Sequence, residues 1–410
     1  MRHLYIKNIP FIIVLALTLS GEGMLTVTLT WTILDRGGSV TQLGIILALM
    51  SILPFILQKY FLKLRKLIEN SPLLIFSACR GIGIIVALYS LFNAKHIGVN
   101  SLYVFAGIFS VILFLSTQSL ETFMSQLVLK GKITSKKASN LLQTSIQFGA
   151  FGGNAIAGFL LNMGGFTYIL CALIFSLGIG IFVSFFTKRL ENNQNANIEK
   201  QQFNIERTPI TNLKSNTLVL TLTIVAIGIL TVQLASFNFL IPIIYHDVHK
   251  WDPSEYGMVS SAAGVGALLA TLIGKYEKYI PTYIFLLLAL IDLSLGFVDS
   301  WFISILCALC LGFVFNRSRI FQRQLMFDHI FIKEETVVWT GRSTLVLQIT
   351  KAATPLILAI PLEWIGNNHS GALFGIMGIS VVLLLTVVYY SESKNVEKVK
   401  LDIESLKTTV

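Results

Sequence analysis

PFIIVLALTLSGEGMLTVTLTWTIL, residues 10–34, sets the fold class of this chain. A helix needs about 20 predominantly apolar residues to cross a bilayer. This run supplies them with a single charge, Glu22, held between Gly21 and Gly23. Eleven further runs of the same kind lie near 41–62, 71–92, 101–128, 137–161, 166–187, 217–244, 254–274, 279–298, 301–324, 338–364 and 371–390. Lipid offers backbone groups no hydrogen-bond partners, so such runs form helices, and they are too long for barrel strands. The expected fold is an all-α integral membrane protein with twelve transmembrane helices. The 410 residues are 54% hydrophobic and 13% charged, with mean hydropathy +0.74, which excludes a soluble globular domain. The first run is too long for a signal-peptide core and has no small-residue cleavage site, so it is read as a retained helix.

The net charge of +10 invites a nucleic-acid partner, but its distribution argues against one. Basic clusters such as Lys63, Arg65 and Lys66, then Lys130, Lys132, Lys136 and Lys137, recur in alternate loops. The opposite loops hold Arg36, Lys95 and Lys250. This positive-inside bias places both termini in the cytoplasm and makes the basic pI a topology signal. Cys79, Cys171, Cys307 and Cys310 all lie in spans, so no disulfide framework is expected. Cys307 and Cys310 read as small packing residues.

Residues 188–216 are rich in Asn, Gln, Lys and Glu and read as a solvated linker. Six spans lie on each side, giving bundles at 1–187 and 217–391 and a cytoplasmic tail at 392–410. Weak repetition supports duplication. Thr41-Gln-Leu-Gly44 recurs as Ser254-Glu-Tyr-Gly257. In each, the hydroxyl residue is expected to cap a helix and the glycine to admit a close neighbour. A second offset pairs Asn140 with Arg342, Gly153 with Pro355, Gly164 with Gly366 and Glu121 with Arg323.

On this layout, with its charged central linker and paired T/S-x-x-G starts, the chain resembles the major facilitator superfamily. Within it the chain looks most like bacterial macrolide-efflux proteins and siderophore exporters. The segments carrying that likeness are Gln126-Leu-Val-Leu-Lys-Gly-Lys132, Ala138-Ser-Asn-Leu-Leu-Gln-Thr-Ser145 and the small-residue run from Gly149 to Gly158. The chain departs from the family at residues 58–66, QKYFLKLRK, which keep the basic residues of the helix 2–3 loop but lack its Gly and Asp. It also lacks the Gly-Pro step of the fifth helix. The resemblance implies that helices 1, 4, 7 and 10 line a central cavity exposed alternately to each side.

Ionisable groups at bilayer depth persist where a partner, water or a function holds them. A carboxyl in a low-dielectric site can exchange protons near neutral pH, so Glu22 is the expected proton-coupling residue; the alternative is an ion pair that locks helices. Arg317, Arg319 and Arg323 in the tenth helix are candidates to hold carboxylate or phosphate groups. Their alternative is a cytoplasmic gate with Glu121, Asp328 or Glu334, and Arg323 is the one placed to snorkel. Lys351 sits mid-span in the eleventh helix and must face the protein interior. Arg80 and Asp292 are expected to form structural charge pairs. Gln233 and Asn238 in the seventh helix are candidate cavity residues, while Gln143, Gln147 and Asn154 read as helix glue.

No metal-ligand cluster, G-x-S-x-G elbow or P-loop occurs, so no enzyme activity, cofactor or metal is expected. His246 and His249 read as solvated loop residues. Energy is expected from an ion gradient, with protons as the partner of Glu22. The expectation is a monomeric, proton-coupled exporter in a bacterial cytoplasmic membrane. Its substrate would be a small organic molecule: a carboxylate metabolite such as a siderophore, or an amphiphilic drug. Uptake of an anionic solute and a non-transporting sensor or scaffold are the alternatives.

Overall fold

The computed structural model describes residues 9–60, 62–94, 98–129, 135–194, 217–272, 282–329 and 333–408; within these, some side chains, including that of Glu22, lie outside the described residues. The described backbone is helical. Its elements are α1 (Ile9–Asp35), α2 (Val40–Tyr60), α3 (Leu62–Asn70), α4 (Pro72–Phe92), α5 (Val99–Leu129), α6 (Ser135–Gln194), α7 (Thr217–Ile243), α8 (Pro253–Leu272), α9 (Leu287–Phe297), α10 (Trp301–Asp328), α11 (Lys333–Ile365) and α12 (Ser370–Thr408). A π-helical turn, Ile244–Val248, follows α7, and a 3₁₀ turn, Thr282–Leu286, leads into α9.

These helices carry the twelve expected spans in order. Two of them share α6, which breaks at Gly164 and Gly165, where Gly165 takes φ of 62°. Among the described residues, eight helices are long and apolar enough to cross a membrane by length and composition. The count is lower than twelve partly because α6 registers once and Tyr283–Phe297 is short. Large apolar side chains point outward, with Phe92 and Trp364 each 85% exposed. Such a surface suits lipid rather than water.

The later part of the stretch 58–66, read from sequence as a basic loop, lies in the helix Leu62–Asn70. Leu64 and Ile68 lie four apart on one face and pack with Ile75, Cys79 and Ile112, so burial of that stripe orders the segment. Residues 195–216 of the expected linker lie outside the described residues, as do Lys130 and Lys132.

The duplication is visible in the turns. Gly37 lies in the α1–α2 turn with φ of 72°, and Lys250 in the α7–α8 turn with φ of 56°. They stand in the same register as Thr41 and Ser254. The helix caps, however, lie two residues earlier than expected. The Ser39 backbone N–H donates to Gln42 Oε1 at 2.9 Å while the Gln42 N–H donates to Ser39 Oγ. The Asp252 N–H likewise donates to Glu255 Oε2 at 2.9 Å. These are capping-box contacts; Thr41 and Ser254 already sit inside their helices.

Compactness divides the chain into two units. The first comprises Met1–Asn204 with Tyr245–Gly264, the second Ile205–Ile244 with Val265–Val410. In the first, α1 packs mainly on α6, α4 on α5 and α6, and α2 on α5. In the second, α7 packs on α10, α11 and α12, and α9 on α10 and α12. The start of α8 joins the first unit through small residues. A Cβ on Gly158 would strike the Gly257 backbone, and Asn154 Nδ2 donates to Ser260 Oγ at 2.8 Å. The glue role expected of Asn154 thus has its partner.

Candidate functional site

The charged interior of the second unit centres on α10. Buried polar groups need partners, and Asn316 finds its own on α8, donating to Ala267 O at 2.7 Å. Arg317 is buried, Arg319 half-buried and Arg323 exposed, a gradient that runs toward the end of the helix. Lys351 on α11 is half-buried. Among the described residues neither Arg319 nor Lys351 has a carboxylate within ion-pair reach. The side chains of Asp328 and Glu334, weighed from sequence as gate partners, lie outside the described residues. A half-buried guanidinium without a carboxylate can offer its planar fork to an anionic guest.

Two carboxyl groups of this unit are buried with glutamines. Asp292 on α9 and Gln233 on α7 are both fully buried, and Gln233 Nε2 lies 2.5 Å from Asp292 Oδ2. Sequence placed Gln233 at a cavity and Asp292 in a charge pair; the structure brings the two together. Asn238, farther along the same helix, is half-buried. The second pair is Gln322 and Glu392, joined at 3.0 Å with Glu392 3% exposed. Sequence reading missed it because residue 392 was assigned to the tail. The available signal was spacing: α12 stays helical past Tyr390, and Val381, Leu385, Val388 and Glu392 form one buried face.

In the first unit the backbone of Glu22 lies in α1 between buried Gly21 and Gly23, and its side chain lies outside the described residues. Just before it, the Ser20 backbone touches Gly153 of α6, where a Cβ would not fit. Arg80 is completely buried, its guanidinium 4.9 Å from the centre of the Phe76 ring. Glu121 on α5 is exposed. The side chains of Gln143 and Gln147 lie outside the described residues.

The end of α1 carries an aromatic cluster. Trp31 stacks on Tyr256 at 5.8 Å and meets His246 edge-on at 5.1 Å, while His249 stacks on Trp251 at 5.2 Å. Both histidines are therefore half-buried rather than solvated, His246 in the π-helical turn and His249 just after it. His246 Nδ1 pairs with Asp247 Oδ1 at 2.6 Å. Beside this cluster a cavity of about 230 Å³ is lined by Trp31, Asp35, Arg36, Asn162, Phe166 and Pro253, among others. Among the described residues no three His, Cys, Asp or Glu side chains group to hold a metal.

Residues 11–330 match the family model described as Major Facilitator Superfamily. No curated protein matches the chain. Among solved structures the chain is similar to a bacterial homologue of the human lysosomal transporter Spinster, in an inward-facing and occupied conformation. That match has 12% identity and TM-score 0.63, covering 96% of this chain and 97% of that one. It is also similar to the nucleoside transporter NupG, with 11% identity and TM-score 0.65 over 93% and 98% of the two chains. A bacterial homologue of the iron transporter ferroportin, in an inward-facing state, gives 13% identity and TM-score 0.66 over 93% and 97%. At these identities the likeness is one of fold.

Proposed function

Because the chain belongs to the major facilitator superfamily, we propose that it is a secondary active transporter exporting a small organic molecule by alternating access. The two working halves are residues 1–187 and 217–391, both termini are cytoplasmic, and the protein acts as a monomer in a bacterial cytoplasmic membrane. Protons drive the cycle through Glu22. The substrate is an anion, with a carboxylate metabolite such as a siderophore favoured over an amphiphilic drug. One observation carries the substrate class: Arg319 and Lys351, half-buried within spans, have no carboxylate within ion-pair reach among the described residues. An uncompensated cation at that depth is costly, and a bound anion offsets the cost. Arg317 supplies a third positive group, and Asn238 adds hydrogen-bonding capacity. Glu121, Arg323 and Arg80 serve as gating or structural charges.

The test is flux through purified protein in liposomes under an imposed pH gradient, with candidate carboxylates and amphiphilic cations supplied separately. Carboxylate flux that is lost in Glu22→Gln and in Lys351→Ala is the expected result. Flux of the cation alone, or carboxylate flux intact in both variants, refutes the assignment.

A further inference from the structure

Asp292 and Gln233 do not balance as hydrogen-bonding groups. An ionised carboxylate only accepts, while an amide offers one acceptor oxygen and two N–H donors. In the structure one Gln233 donor serves Asp292 Oδ2. Asp292 Oδ1 and Gln233 Oε1, both buried, have no donor among the described residues. An ionised Asp292 with these two acceptors unserved leaves an excess of negative charge in a fully buried place.

The surroundings do not neutralise it. α10 and α12 pack on α9, and α7 meets it through Gln233. On α12 the residue against the Asp292 carboxyl is Gly378, where a Cβ would collide with it. Among the described residues no Lys, Arg, His or second carboxyl of these helices faces Asp292. A buried charge without a partner costs several kcal/mol, and such groups shed the charge instead.

Which end of the Gln233 amide faces Asp292 Oδ2 depends on where the proton sits. A half-turn of the Gln233 amide exchanges its oxygen and nitrogen. A proton on Asp292 Oδ2 is then donated to the amide oxygen. One proton thereby gives the Gln233 oxygen the donor it lacks.

We propose that Asp292 and Gln233 form a proton-binding site in the second unit, the proton held as a carboxylic acid O–H bonded to the Gln233 amide oxygen. Exchange of this proton during the cycle rests on the export reading above, and would make Asp292 a coupling group alongside Glu22. Gln233 acts as a positioning residue. The construction resembles Gln322 with Glu392, where one oxygen of each side chain is likewise without a donor among the described residues.

Infrared spectroscopy of the full-length protein in lipid nanodiscs tests the site without reference to transport. At neutral pH the difference between wild type and Asp292→Asn should contain the carbonyl stretch of an un-ionised acid. Glu392→Gln should leave that band in place. Gln233→Leu should move it to the higher wavenumber of an acid without an acceptor. Asp292→Asn should keep the wild-type melting temperature, because a neutral amide replaces a neutral acid. Absence of an acid band in the Asp292→Asn difference, or a band that Gln233→Leu does not move, overturns the proposal. In proteoliposomes, Asp292→Asn should lose uphill flux driven by a pH gradient and retain substrate counterflow. Unimpaired uphill flux would overturn the coupling role, whereas a wild type without flux would refute the export reading and leave the infrared result standing.

Discussion

Gly158 on α6 and Gly257 on α8 touch backbone to backbone, and the neighbouring Asn154 amide donates to Ser260 across the same seam. This contact holds the first half of α8 in the first unit. Without side chains at the crossing, helices approach closely enough for dispersion and hydrogen bonding to act together, which is how apolar helices associate in lipid.

Enlarging that crossing should therefore be costly. Gly158→Leu is expected to destabilise the protein by about 1–3 kcal/mol or more, the range for overpacking. Gly178, where an added Cβ meets nothing, is the control. Thermal unfolding in detergent, followed by size-exclusion fluorescence, should show a lower midpoint for Gly158→Leu and none for Gly178→Ala.

Lys250 holds a left-handed backbone at an exposed turn. For a residue with a Cβ that conformation costs about 1–2 kcal/mol. Lys250→Gly should raise the melting temperature, and Gly37→Ala, at the duplicated position, should lower it. Equal effects of the same sign would show that the turns are not equivalent.

Capping contributes separately at the same turns. Glu255→Ala removes the acceptor for the Asp252 N–H and should cost about 0.5–2 kcal/mol. Gln42→Ala should do likewise for Ser39. A chemical-denaturation series on single and double variants would measure both losses, which should add because the caps share no partner.

Arg319 and Lys351 differ in what a conservative exchange preserves. Arg319→Lys keeps the charge and loses the planar fork, so carboxylate binding should weaken nearly as much as in Arg319→Ala. Lys351→Arg should retain most of it. Isothermal titration of detergent-solubilised protein with the transported carboxylate would give the two affinities; full rescue by Arg319→Lys would reduce the residue to a point charge.

Sidedness can be read directly by labelling. In a background with the four cysteines replaced by serine, Lys250→Cys should react with an impermeant maleimide applied to intact cells. Lys66→Cys should react only after permeabilisation. Both positions are exposed, so the reverse pattern would invert the assigned topology.

The fold was legible in sequence because its signals are local. Apolar length set the helices, and the repeated Thr41–Gly44 and Ser254–Gly257 segments marked the duplication now seen in the turns at Gly37 and Lys250. Even the error in capping was small: Ser39 and Asp252, two residues earlier, carry the capping-box pattern themselves. The amphipathic face of α3 was equally readable from the spacing of Leu64 and Ile68.

The composition of the site was visible, but its pairings were not. Hydrophobic runs by themselves determined an all-helical membrane chain, the layout and motifs added its resemblance to the major facilitator superfamily, and isolated polar groups within the runs named Gln233, Asp292, Arg319 and Lys351 as unusual residues. Only tertiary structure decided that Gln233 meets Asp292 and that Gln322 meets Glu392, or that the start of α8 joins the first unit. The reason is physical: a helix apolar on every side has no stripe to fix its rotation about its own axis. Which polar side chains face each other is then settled by small-residue crossings and buried hydrogen bonds between segments far apart in the chain.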